Sequence, residues 1–297
     1  MKTEIGIVPD TSILVYYLFG NLNQKKKIVE MFYKFNNIIT LNEPLLSEIG
    51  RVIFASFFKL KEMIDNFLSK KENLEIDDFW ITLNQKINRI WSNHLSRRLS
   101  YILTYFRNIY DKIPLDKKDP NYLIKLSDRI KSSVYILIDE LLEFQEELSK
   151  WTLKNTIDCP QAKWKIIYNE NTLDYEFSYN SICSKICPDR KKILIELTEE
   201  CELFFLDILK NGKQYAIQNK IIFDNNLILT IEKLILITKN KLNFDFRTNY
   251  CYNLGDLLIC LLLKGTNYYL YTMNINHSKF ILHFLQINWD RLIEFTQ

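Results

Sequence analysis

Four side chains stand at places in the pattern where chemistry can be done: Asp10, Glu48, Asp256 and Asn274. The run Ile5-Gly6-Ile7-Val8 reads as a buried strand that stops at Asp10, and a helix resumes at Ile13. An acid at the carboxyl end of a parallel strand faces the crevice where open α/β sheets bind ligands. Thr11 and Ser12 are cap-forming residues for the helix that follows, and on the local pattern alone Asp10 is equally a plain helix cap. Asp256 opens an apolar helix, where the dipole favours a carboxylate and the side chain can face the mouth of the sheet. Asn274 ends a strand over 268–272, in a position equivalent to that of Asp10, and Glu48 lies on a helix, off its most apolar stripe.

Two other groups of side chains carry possible chemistry. Cys159, Cys183 and Cys187, with a distant fourth ligand, can be arranged as a zinc site, although none of the three histidines is near them in sequence. Free thiols are the ordinary state of such cysteines in a reducing cytosol. Arg97, Arg98 and Arg107 can face phosphates, or they form a solvated helix face.

The elements that must position these residues change character along the chain. Strand, helix, strand, helix over residues 5–55 is the signature of a parallel sheet with crossovers. Residues 56–69, 77–110 and 120–154 then read as long helices. Phe79, Leu83, Ile87, Ile90 and Trp91 recur at helical spacing, as do the apolar residues from Leu123 to Leu148. A hairpin is predicted over 164–177, a helix from 198 to a stop at Asn211-Gly212, and a short strand over 220–223. Residues 226–238 are a helix or a buried segment, and the opening pattern returns in a helix over 257–263, a strand over 268–272 and a helix over 278–286.

Composition sets bounds on function. Hydrophobic residues make up 47% and charged residues 25% of 297, an ordinary globular mix. A net charge of +3 neither demands nor excludes nucleic acid. The opening Met1-Lys2-Thr3-Glu4 leads straight into the first strand, which argues against a signal peptide. No apolar run reaches spanning length, so a soluble, cytoplasmic protein is expected.

Pro9-Asp10-Thr11-Ser12-Ile13-Leu14, Glu48 on the second helix, Gly255-Asp256 before an apolar helix, and Thr272-Met273-Asn274 after the next strand resemble, in order and spacing, the signature of PIN-domain nucleases. The resemblance covers roughly residues 3–55 and 220–290. It implies an α/β fold, a parallel sheet flanked by helices. Here that sheet is formed by 1–55 and 220–297 and interrupted by a large insertion over 56–219, helical to about 154 and then a hairpin and helix. It also implies a metal-dependent ribonuclease, a hydrolase of the kind found among toxins of toxin–antitoxin pairs. Asp10, Glu48 and Asp256 fall on the family's metal-binding acids. Asn274 falls where a fourth acid is common, which bears on whether one or two metals bind.

Physical chemistry agrees with that assignment. Clustered carboxylates are costly without a cation, and hard oxygen ligands suit Mg²⁺ or Mn²⁺. Thr11, Ser12 and Thr272 then serve to hold the acids in place. The resemblance implies RNA as the partner, with an antitoxin or other protein and self-association as further partners. The alternatives are a PIN-like module that has lost catalysis and binds RNA or protein through its long helices, and a flap-type DNA nuclease.

Overall fold

In a computed structural model, residues 5–70, 75–91, 93–114, 121–154, 163–179, 188–221, 224–240 and 253–296 are described. The first strand, β1 (Ile7–Pro9), is wholly buried, as a strand covered on both faces must be. It pairs in parallel with β6 (Tyr269–Thr272), Val8 opposite Leu270, and β6 pairs in parallel with β7 (Leu292–Glu294). On the other side Ile7 bridges Ile39 in parallel, its N–H donating to Ile38 O at 2.9 Å. That segment runs into β2 (Thr40–Leu41), which pairs in parallel with β3 (Thr152–Leu153). Through that single bridge the two sheets, β3-β2 and β1-β6-β7, adjoin in the order β3-β2-β1-β6-β7, all parallel. The strands nearest β1 come from opposite ends of the chain, so the strand order reverses at β1.

The helices between strands cover this sheet. α1 (Thr11–Phe19) follows β1, and α2 (Leu22–Lys34) is closed at its start by a reciprocal cap between Asn21 and Gln24. α3 (Glu43–Ile49) passes without a break through a wider π turn (Gly50–Phe54) into α4 (Ala55–Leu68). α5 (Ile76–Asn88), α6 (Asn93–Lys112) and α7 (Tyr122–Lys150) make the middle of the chain strongly helical, as predicted. α7 buries Leu126, Ile130, Leu137, Leu141 and Phe144 along one stripe. Its Glu147 accepts a hydrogen bond from Tyr17 of α1 at 2.8 Å, tying this bundle to the sheet layer. The hairpin β4 (Trp164–Asn169) and β5 (Asp174–Tyr179) is antiparallel, as expected.

Several expectations need correction. The helix predicted over 77–110 is two helices, and Trp91 in the break is fully exposed rather than part of the apolar face. Asn88 ends α5, and asparagine competes for backbone hydrogen bonds at helix ends. The chain was expected to stop its helix at Asn211-Gly212, yet α9 (Glu202–Gln218) runs through them with Gly212 buried. Tertiary packing outweighs a helical glycine's cost of about 1 kcal/mol. Residues 188–197, not anticipated as helix, begin α8 (Pro188–Glu200), and the helix expected from 198 is divided at Cys201 between α8 and α9. Lys220 takes a left-handed turn (φ 55°) after α9 and Ile221 is not in a strand; residues 222–223 lie outside the described residues. The ambiguous stretch over 226–238 is helical, α10 (Asn225–Asn240). α11 (Gly255–Leu261) and α12 (Ile275–Phe284) flank β6. Thr152–Leu153, expected at the end of a helix over 120–154, is instead the strand β3, paired with β2. Among the described residues no helix is long and apolar enough to cross a membrane.

Candidate active site

Asp10 leaves β1 at the point where the strand order reverses, with its N–H bonded to Tyr271 O of β6 at 3.0 Å. It is both of the things its position allowed. Its Oδ1 caps α1 by accepting from Ile13 N–H at 3.0 Å, so Asp10 itself, not Thr11 or Ser12, is the N-cap. Ser12 Oγ donates to the same oxygen at 2.5 Å, and Thr272 Oγ1 donates to Oδ2. Thr272 is buried and also accepts Asn274 N–H at 2.9 Å, so one hydroxyl ties the ends of β1 and β6 together. Burial pushes the Asp10 carboxyl above its ordinary range, and the charge of Asp256 adds to this. The hydrogen bonds from Ser12, Thr272 and Ile13 pull the other way without reversing it.

Glu48 comes from α3, whose placement depends on two residues the sequence pattern did not single out. Asn42 is fully buried; its Oδ1 caps α3 through Leu45 N–H at 2.9 Å, while its Nδ2 donates to Leu258 O of α11 at 3.1 Å. That bond joins the helix bearing Glu48 to the helix bearing Asp256. Trp164 of the hairpin donates its indole N–H to Leu46 O of α3 at 2.8 Å, one turn before the π turn. Gly50 makes room for it, since a Cβ there would fall 2.4 Å from Trp164 Cδ1. Burial raises the Glu48 pKa, Asp256 and Asp10 raise it further, and Thr11 and Arg51 oppose. Thr11 Oγ1 is buried beside Glu48, short of full hydrogen-bond geometry.

Asp256 sits in the first turn of α11, about half exposed, 3.4 Å from Nδ1 of His277 on α12. His277 was not proposed for the site; its one signal was a place just beyond Asn274. Nε2 of His277 is buried and unbonded. Asn274 occupies the expected strand end and precedes α12, but its side chain is exposed and does not cap that helix. Cys260, one turn along from Asp256, is a buried free thiol held in its neutral form by burial and by the nearby acids.

Three carboxylates thus share one electrostatic environment at the carboxyl end of β1 and β6. Their donor chemistry, all hard oxygen, fits a divalent cation, and the raised pKa of Asp10 and Glu48 is the cost such an ion would relieve. Among the described residues, however, no group of three or more His, Cys, Asp or Glu is already close enough to hold a metal. The cysteines considered for zinc, Cys159, Cys183 and Cys187, lie outside the described residues. No family model matches the chain, and no curated protein and no solved structure matches it.

Proposed function

We propose that this chain is a metal-dependent endoribonuclease with a PIN-like fold, hydrolysing phosphodiester bonds of RNA with Mg²⁺ or Mn²⁺. The observation that carries the reading is the placement of Asp10 at the end of β1, its carboxylate held by Ser12 and Thr272, within range of the charge of Asp256, with Glu48 within range of both. The all-parallel order β3-β2-β1-β6-β7 supports it, because this is where such sheets bind ligands. In this reading Asp10, Glu48 and Asp256 hold the cation. Ser12 and Thr272 fix the Asp10 carboxylate, and Thr11 stands beside Glu48. The chemistry supplied there is a water made nucleophilic near neutral pH and relief of charge building on the phosphate. Asn274, neutral and exposed, favours a single ion over a pair.

A second reading, a binding module without catalysis, is favoured by the absence of a closed metal-sized group among the described residues. Cleavage of end-labelled single-stranded RNA in Mg²⁺, in Mn²⁺ and in excess chelator decides between them. The nuclease reading expects cleavage only with metal, abolished in Asp10→Asn and Asp256→Asn while both variants still melt cooperatively. Cleavage that persists in chelator refutes it, and RNA binding with no cleavage in any condition favours the module.

A further inference from the structure

The segment that leaves β6 reaches two of the three acids. Thr272, the last residue of that strand, holds Asp10. Further on, in the first turn of α12, His277 meets Asp256: its Nδ1 stands 3.4 Å from Asp256 Oδ2. Both helices that carry this pair are anchored. Asn42 donates to Leu258 O of α11, and α12 buries Phe280, Ile281, Leu282 and Phe284.

The two acids are held unequally. The Asp10 carboxylate accepts from two hydroxyls and a backbone N–H, whereas among the described residues Asp256 has His277 alone within reach as a donor. The Asp256 side chain is 52% exposed and that of His277 only 21%. An exposed carboxylate without a donor turns among its rotamers, and a packed ring that bonds one of its oxygens fixes it.

The surroundings also decide which ring nitrogen carries the proton. Nε2 of His277 is buried with no partner, so neither a proton nor a lone pair is satisfied there. The side that faces Asp256 is therefore decisive. A lone pair on Nδ1 would point at a carboxylate oxygen and repel it, while an Nδ1–H makes a charge-assisted hydrogen bond.

We propose that His277 is a positioning residue for Asp256. It donates Nδ1–H to Oδ2, so that the carboxylate keeps one orientation and Oδ1 is left for a cation. The purpose of the arrangement rests on the metal reading of the site; the contact itself does not.

Two measurements on the full chain test this. Proton and nitrogen NMR of histidine-labelled protein in chelator reads the ring directly, the His277 signals being those lost in His277→Asn. The expected result is a downfield, exchange-protected proton on Nδ1 that disappears in Asp256→Ala. A proton on Nε2 alone, or an Nδ1 proton unmoved in Asp256→Ala, overturns the proposal even if RNA is cleaved. Titration with Mn²⁺, followed by the EPR signal of the free ion, reads the consequence without turnover. His277→Phe keeps a ring and loses the donor, so it should weaken Mn²⁺ binding about 10- to 100-fold. In His277→Asn the amide nitrogen takes the place of Nδ1, and affinity should stay close to that of wild type. In His277→Gln the amide lies farther out, where Nε2 was, and affinity should fall as in His277→Phe. A ring that only filled space would be replaced best by phenylalanine, the opposite order. Wild-type affinity in His277→Phe, or in His277→Gln should the first variant not fold, overturns the positioning role. A wild type that binds no Mn²⁺ sinks the nuclease reading alone, and the NMR result then decides the contact by itself.

Discussion

Thr272→Val removes one hydroxyl and keeps the shape of a buried side chain. That hydroxyl donates to the Asp10 carboxylate and accepts Asn274 N–H at 2.9 Å, and Thr272 is 1% exposed. A hydrogen bond to a charged group contributes about 1.5–3 kcal/mol, and the neutral one about 0.5–1.5 kcal/mol. The apolar methyl that replaces the hydroxyl offsets roughly 1 kcal/mol of this. The net loss is then about 2 kcal/mol, which for a chain of this size lowers Tm by about 3–5 °C. The Asp10 carboxyl also loses one of the contacts that favour its ionised form, so its pKa rises further. In the nuclease reading the acid limb of the pH–rate profile moves to higher pH. Thermal melting and a pH–rate profile of wild type, Thr272→Val and Thr272→Ser measure both effects, and serine should restore most of each. A valine variant that melts within about 1 °C of wild type, with an unmoved acid limb, would refute the view that Thr272 holds Asp10.

Two further predictions concern Glu48. Gly50→Ala should destabilise by about 1–3 kcal/mol, because the new Cβ displaces Trp164 and its bond to Leu46 while helix propensity gains only about 1 kcal/mol; urea unfolding reads this, and a more stable alanine variant contradicts it. Glu48→Gln should raise Tm near neutral pH in chelator. The folded-state pKa of Glu48 lies above its ordinary 4.5, so the charged form penalises the folded state increasingly as pH rises through that interval, and the penalty is absent below it. The gain in Tm should therefore vanish near pH 4.5, and a glutamine variant less stable than wild type near neutral pH would show that burial and the neighbouring acids do not dominate at this position.

What could be read from the chain follows the range over which each signal acts. Asp10 was legible because strand, acid, two hydroxyls and helix stand in sequence, and the same local order marked Asp256 and the end of β6. β3 and β7 were not, since Thr152–Leu153 follows directly on the helical apolar spacing of α7, and Leu292–Glu294 shows no alternation of its own. Asn42 read as a turn, because its partner Leu258 is 216 residues away. Trp164 read as a hairpin residue, and only the folded chain brings it to Leu46. Arg97, Arg98 and Arg107 are alike as charges on a helix, and only the fold separates them: Arg97 is exposed, Arg98 half-buried, and Arg107 lies over the Trp80 ring. His277 reaches Asp256 through the docking of α12 on α11, a contact with no counterpart in local pattern.

In the nuclease reading Asp10, Glu48 and Asp256 together hold a divalent cation at the carboxyl end of β1 and β6. The anomalous scattering of Mn²⁺ in crystals of the wild type grown with that ion tests it most directly. The account predicts a peak bound by carboxylate oxygens of all three residues, with Ser12 and Thr272 still hydrogen-bonded to Asp10. Well-ordered acids with no peak between them, or a peak that leaves Asp10 outside its coordination, would contradict it.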